Sequence, residues 1–189
     1  MDIKRFFRLE GAEVRPEDKG QRANDGSMDK GKLLHLLYLG RRHPLKGLEF
    51  LEESLEKCGN VKAWKREKVE AADEGEGGIE FRVESNVFGE EKERMWEWCD
   101  VLVLPTLSEN FGLVIAEALE RGKRVITTDG APAWGSECKM DRVKCKVGGG
   151  EIWSGYDGRL IYLKGYRDGS PEVRIALLED AIRNYVRGM

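Results

Sequence analysis

No stretch of this 189-residue chain approaches the roughly 20 apolar residues needed to cross a bilayer. The amino terminus also lacks the apolar core of a signal peptide, so a cytoplasmic protein is expected, with attachment at the inner membrane face as the variant. Charge of one sign is missing too. Thirty-two basic and 35 acidic residues are interspersed and leave a net charge of -3, which offers no basic field for nucleic acid. Cysteine is scarce: Cys58, Cys99, Cys138 and Cys145 contain no C-x-x-C pair. Free thiols in a reducing compartment are expected, with Cys58 and Cys99 buried on apolar helix positions. Only two histidines, His35 and His43, are present, and neither pairs closely with a cysteine, so no metal site is expected.

What remains is an α/β pattern long enough for one domain and a sizeable core. Residues 1–32 read as a short helix carrying Ile3, Phe6 and Phe7, then a polar linker. From residue 33 to 189 the chain reads as one α/β domain. Leu33–Gly40 is a continuous apolar run, as parallel strands usually are. A basic loop, Arg41–Gly47, leads to a helix over Leu48–Cys58 with Leu48, Leu51 and Leu55 on one face, ended by Gly59. Val61–Trp64 reads as a short edge strand, and Ile79–Phe88 as a strand with its exit. The helix expected over Glu90–Cys99 turns Met95, Trp96 and Cys99 inward and Glu90, Glu91, Lys92 and Arg94 toward water.

The stretch around which the chain is organised follows, VLVLPTLSENFGLVIAEALERGKRVITTDGAPAWG over Val101–Gly135. Val101–Leu104 is a buried strand stopped by Pro105. Leu113–Glu120 favours helix, Gly122 ends it, and the β-branched Arg124–Thr128 is the next strand, closed by an Asp129-Gly130 turn. Strand–loop–helix–strand implies a parallel sheet whose ligand lies at the carboxyl ends of the strands. Two carboxylates stand out here, Glu109 in the loop and Glu117 in an otherwise apolar helix. A carboxylate among Leu113, Val114, Ile115, Ala116, Ala118 and Leu119 needs a partner. A hydroxyl-rich ligand such as ribose or a hexose is one candidate; a neighbouring arginine or water is the other. The amides that open this helix suit a phosphate.

Ser108–Leu113 followed by Glu117-Ala118-Leu119 resembles the E-x7-E motif of the family 4 glycosyltransferases, retaining enzymes of the two-domain GT-B fold. GRRHPLKG at Gly40–Gly47 and FGEEKERMWEWCDVLVLPT at Phe88–Thr106 are similar to that family as well. The resemblance covers residues 33–135 and implies a doubly wound, Rossmann-like parallel sheet, the carboxyl-terminal half of a GT-B enzyme. It implies that Glu117 holds ribose hydroxyls and that Glu109 contacts the donor sugar near its reacting carbon. The amides of Gly112 and Leu113 then bind the diphosphate, with Gly40, Asn110 and Phe111 alongside, while Arg41 and Lys46 neutralise its charge. No cofactor or metal is implied. The substrate is a nucleotide sugar linked to UDP, GDP or ADP, and the acceptor a glycan or lipid of lipopolysaccharide or other cell-envelope polysaccharide. The acceptor domain of such an enzyme is absent from the pattern. Donor-domain function with an N-terminal GT-B domain on another chain, or self-association, is therefore expected. The alternatives are a non-catalytic nucleotide-sugar or interaction module, and an unrelated α/β domain.

The rest is read from residues alone. Trp134 either lines the pocket or closes the core, and Trp96 and Trp98 are packing residues. Gly148–Gly150 is a turn, Glu151–Trp153 and Arg159–Leu163 pair as a hairpin about Asp157-Gly158, and a helix over Pro171–Arg187 is capped by Ser170.

Overall fold

The computed structural model describes residues 33–59, 61–64, 78–136, 140–155 and 158–186. The amino-terminal helix and linker expected over residues 1–32 lie outside them, as does most of the segment between Trp64 and Ile79. The described residues form an eight-stranded sheet in the order β2-β3-β1-β4-β5-β8-β7-β6. In chain order the elements are β1 (Leu34–Leu39), α1 (Leu48–Cys58), β2 (Val61–Trp64), β3 (Ile79–Glu84), α2 (Gly89–Trp98), β4 (Val101–Leu104), α3 (Leu113–Glu120) and β5 (Arg124–Thr128). A short helix α4 (Pro132–Ser136) follows, then β6 (Met140–Val147), β7 (Gly150–Gly155), β8 (Leu160–Lys164) and α5 (Pro171–Asp180).

Six strands, β2, β3, β1, β4, β5 and β8, run parallel. Their sequences explain this. Leu36, Leu37, Val101, Leu102, Val103 and Val125 are fully buried, and a strand covered on both faces has no polar side to show. Crossovers toward opposite edges place helices on opposite faces, given the right-handed rule. Helix α1 packs against α5 on one face. On the other, ion pairs join α2 to α3. The sheet is thus doubly wound, as expected. β7 and β6 extend it antiparallel beyond β8. The hairpin of β7 with β8 matches the sequence reading, whereas β6 is an additional strand in a stretch that read as irregular.

The last helix differs from its expected form. α-Helical bonding runs only from Pro171 to Asp180, and Ala181–Val186 continue as a π-helix. Ala181 and Ile182 are both fully buried there. Arg183 Nη2 donates to Lys57 O at the end of α1, which anchors the widened turns. The amino end matches: Ser170 Oγ accepts from Val173 N at 3.5 Å with Pro171 next to it. Ser170→Ala is expected to cost about 0.5–1 kcal/mol, the low end for a cap because the bond is long. Urea denaturation with an unchanged m-value checks it.

Cys99 is fully buried as expected, and burial pushes its thiol up to about 12. Cys58 is only partly covered. No disulfide joins the cysteines among the described residues.

β1 is flanked by β3 on one side and β4 on the other. The chain leaves β1 toward the β2 edge and returns through α2 to β4, so strand order reverses between β1 and β4. In open α/β sheets the crevice at that point, outside the carboxyl ends, is where ligands bind.

Candidate functional site

Three loops converge at this crevice, and backbone chemistry ties them together. The first follows β1. Gly40 N donates to Glu84 O of β3 at 2.9 Å, which fixes where the loop starts. Tyr38 Oη donates to Arg41 O at 2.9 Å, and burial pushes that phenol up to about 12, so it stays a donor. Pro44–Lys46 make one 3₁₀ turn, with His43 Nδ1 accepting from Leu45 N at 3.2 Å. His43 is therefore a turn cap. Gly47 ends that turn in the left-handed region, φ 63°, and also begins α1.

The second loop follows β4 and lies against the first. Leu107 N donates to Leu45 O at 2.8 Å, and Thr106 Oγ1 stands 3.2 Å from the same oxygen. Lys46 Nζ donates to Ser108 O at 3.4 Å and pairs with Glu109 Oε2. Both side chains of that pair are largely covered, at 18% and 24% exposure. The third loop follows β5 and is tied to the second. Glu109 N donates to Gly130 O at 2.8 Å, and Thr128 Oγ1 donates to Thr106 O. Asp129 carries the lacing on to β8, accepting from Gly165 N and Arg167 N at 2.7 Å each.

Asn110 N donates to Glu109 Oε1 at 3.2 Å, which turns that carboxylate along the loop. Phe111 stacks on Trp134 with ring centroids 5.3 Å apart, and Trp134 Nε1 donates to Phe111 O at 2.5 Å. Trp134 is buried, so of its two expected roles it closes the core, holding Phe111 from behind. Gly112, φ 71°, caps α3 with no side chain on the first amides. An amino end whose N–H groups lack a side-chain acceptor is suited to an anion. Leu113, the first residue of α3, is about half exposed.

Glu117 is placed differently from Glu109. It lies one turn into α3, and its partner is Lys92 of α2, whose Nζ stands 2.5 Å from Glu117 Oε2. That oxygen is enclosed and in ion-pair contact, yet outside hydrogen-bond geometry. The reading that placed Lys92 in water is corrected: it is three-quarters covered, because α3 stands against the first turn of α2. The demand for a partner at Glu117 was visible in the sequence, but not which helix would meet it. Arg121 braces the same junction, donating to Glu93 Oε1 at 2.7 Å and to Glu117 O at 3.1 Å. Its guanidinium holds the Glu93 carboxyl below the usual range.

Of the residues singled out from sequence, Gly40, Lys46, Glu109, Asn110, Phe111, Gly112 and Leu113 lie on adjoining stretches of the first two loops and the start of α3. Arg41 is exposed on the first loop and gives its carbonyl to Tyr38. Glu117 stands on the neighbouring wall between α3 and α2. Among the described residues no helix is long and apolar enough to cross a membrane, and no cluster of three metal-ligating side chains occurs.

Comparison with known proteins gives one family. The model of the family described as "Glycosyl transferases group 1" matches residues 34–137, more than half of the chain. The match spans all three loops. No curated protein is significantly similar to the chain.

Proposed function

Because the chain belongs to the group 1 glycosyl transferases, we propose that its crevice is the nucleotide-sugar donor site of a retaining enzyme. The observation that carries this reading is the Lys46–Glu109 pair. It sets a cation and a carboxylate from two loops beside the uncapped amino end of α3.

Each group then has a task. Glu117 offers Oε1, the oxygen not enclosed against Lys92, to the ribose hydroxyls. The diphosphate lies on the amides at Gly112–Val114, where unsatisfied N–H groups and the helix dipole favour an anion. Lys46 turns from Glu109 toward the diphosphate and, with Arg41, meets the charge that grows on the leaving group. Glu109, released from Lys46, faces the sugar beside its anomeric carbon. There the bond to the phosphate oxygen breaks and the acceptor oxygen bonds on the same face. The acceptor proton leaves with the diphosphate.

The acceptor is a glycan or lipid hydroxyl of cell-envelope polysaccharide or lipopolysaccharide synthesis, presented by a facing domain. Leu45 and Leu113, each about half exposed on this rim, give such a domain an apolar surface to meet.

The test is thermal or urea denaturation of the chain with UDP-, GDP- and ADP-linked sugars. One of them, at about 100 times its dissociation constant, is expected to add roughly 2.7 kcal/mol. Glu117→Ala is expected to remove that gain. Indifference of the native chain to all three would overturn the donor-site reading.

A further inference from the structure

β1 is a strand rich in leucine with one phenol near its carboxyl end. By alternation Leu34, Leu36 and Tyr38 share a face, and Tyr38 is as fully buried as Leu36. A phenylalanine would fill the same space. A buried hydroxyl costs free energy unless it is bonded. This one is bonded to the chain that has just left the strand, its Oη donating to Arg41 O at 2.9 Å. The charges that the phenol feels are those of Arg42 on the first loop and Glu109 on the second, so it lies beneath the place where those loops meet. Gly40 makes the return possible. A Cβ there would already stand 3.3 Å from Tyr38 Oη, so a larger residue would lift the chain off the ring.

Two consecutive residues are aimed in this way, Gly40 N at Glu84 O of β3 and Arg41 O at Tyr38. A trans peptide unit is flat, and its carbonyl and N–H point in opposite directions. No cis peptide bond occurs among the described residues. With the Arg41 carbonyl drawn into the core, the Arg42 N–H of the same unit is turned outward, on a loop whose residues 41–45 are all exposed. Among the described residues that N–H has no hydrogen-bond partner. The Arg42 side chain is engaged elsewhere, its Nη1 facing Glu52 Oε1 of α1 at 3.7 Å. What Arg42 has to offer a ligand is therefore its main chain.

We propose that Tyr38 is a positioning residue for the donor diphosphate, aiming the Arg42 N–H at it as a main-chain donor additional to those of α3. The inference rests on the donor-site reading above and adds to it a group of the first loop that carries no charge. Such a donor differs from Arg41 and Lys46 in a measurable way. Salt screens the attraction of a cation for the diphosphate. It weakens a short hydrogen bond from a neutral amide far less.

The experiment is calorimetric titration of the native chain, Tyr38→Phe and Lys46→Met with inorganic pyrophosphate, UDP, GDP and ADP, at low and at high salt. Amide NMR of the native chain accompanies the same four titrations. Tyr38→Phe keeps the ring that packs β1 and is expected to bind the diphosphates that the native chain binds about tenfold more weakly, the loss of one hydrogen bond to a charged acceptor. The factor is the same at both salt concentrations, whereas that of Lys46→Met shrinks as salt rises. The Arg42 amide signal moves downfield as the native chain saturates, a readout that needs no variant and decides the matter should Tyr38→Phe fail to fold. Equal affinities of native and Tyr38→Phe, a Tyr38→Phe loss that fades with salt, or an Arg42 amide that stays in place at saturation overturns the positioning role. A native chain that binds none of the four ligands overturns the donor-site reading itself, an outcome distinguishable from the others.

Discussion

Gly47→Ala is expected to destabilise the domain by about 3–4 kcal/mol, with backbone strain near 1–2 and steric overpacking near 1–3 as its two parts. Gly47 has φ 63°, and a Cβ there would lie 2.1 Å from Pro105 O and 3.1 Å from Tyr166 Oη. Neither neighbour can move cheaply. The Pro105 carbonyl is backbone at the end of β4, and Tyr166 is fully buried with its hydroxyl unpartnered. Gly122 provides the control. It too has a positive φ, 70°, yet nothing lies within 4 Å of its added Cβ. Gly122→Ala should therefore show the strain part alone, about 1–2 kcal/mol. Urea denaturation of the two variants separates the contributions, and equal losses would mean that the approach of Pro105 does not matter.

Asp129→Ala is the other large effect, expected at about 3 kcal/mol. Both oxygens of Asp129 accept backbone N–H groups at 2.7 Å, from Gly165 and Arg167. Hydrogen bonds to a charged acceptor contribute roughly 1.5–3 kcal/mol each. Arg167 is exposed, so water replaces part of what its amide loses, which sets the expectation well below twice the upper figure. For a chain of this length a loss of that size lowers Tm by roughly 6–12 °C. Asp129→Asn keeps one acceptor oxygen and should lose about half as much. A scanning calorimetry series of the three proteins checks the order, and an Asp129→Ala chain that melts with the native one would remove Asp129 from the lacing.

β1 and β4 were legible in the sequence because burial on both faces leaves a near-continuous apolar run, as in Val101–Leu104, and β5 because Val125–Thr128 are all β-branched. β6 was not. Val143, Cys145 and Val147 do alternate, but with Arg142, Lys144 and Lys146 between them and a glycine-rich turn behind, so the stretch resembled a loop. The end of α5 was misread for another reason: an α-to-π transition leaves no mark in a stripe counted at helical spacing. At the site, the loop residues were named from the family resemblance and from the two carboxylates of the Val101–Gly135 stretch. Lys92 could not be named that way. Its partner lies on a helix 25 residues away along the chain, and the facing of two helices is decided by the sheet that both pack on.

The ties among the three loops bear on kinetics. Leu107 donates its main-chain N–H to Leu45 and Glu109 donates its own to Gly130, so backbone bonds hold the three loops to one another. Amides held this way should be among the slower to exchange with solvent deuterium, unlike those of loops that order only on binding. A ligand arriving at such a rim meets donors already aimed, so little conformational entropy is lost in the encounter. Association should accordingly proceed in a single phase, without a slow step that saturates at high ligand concentration.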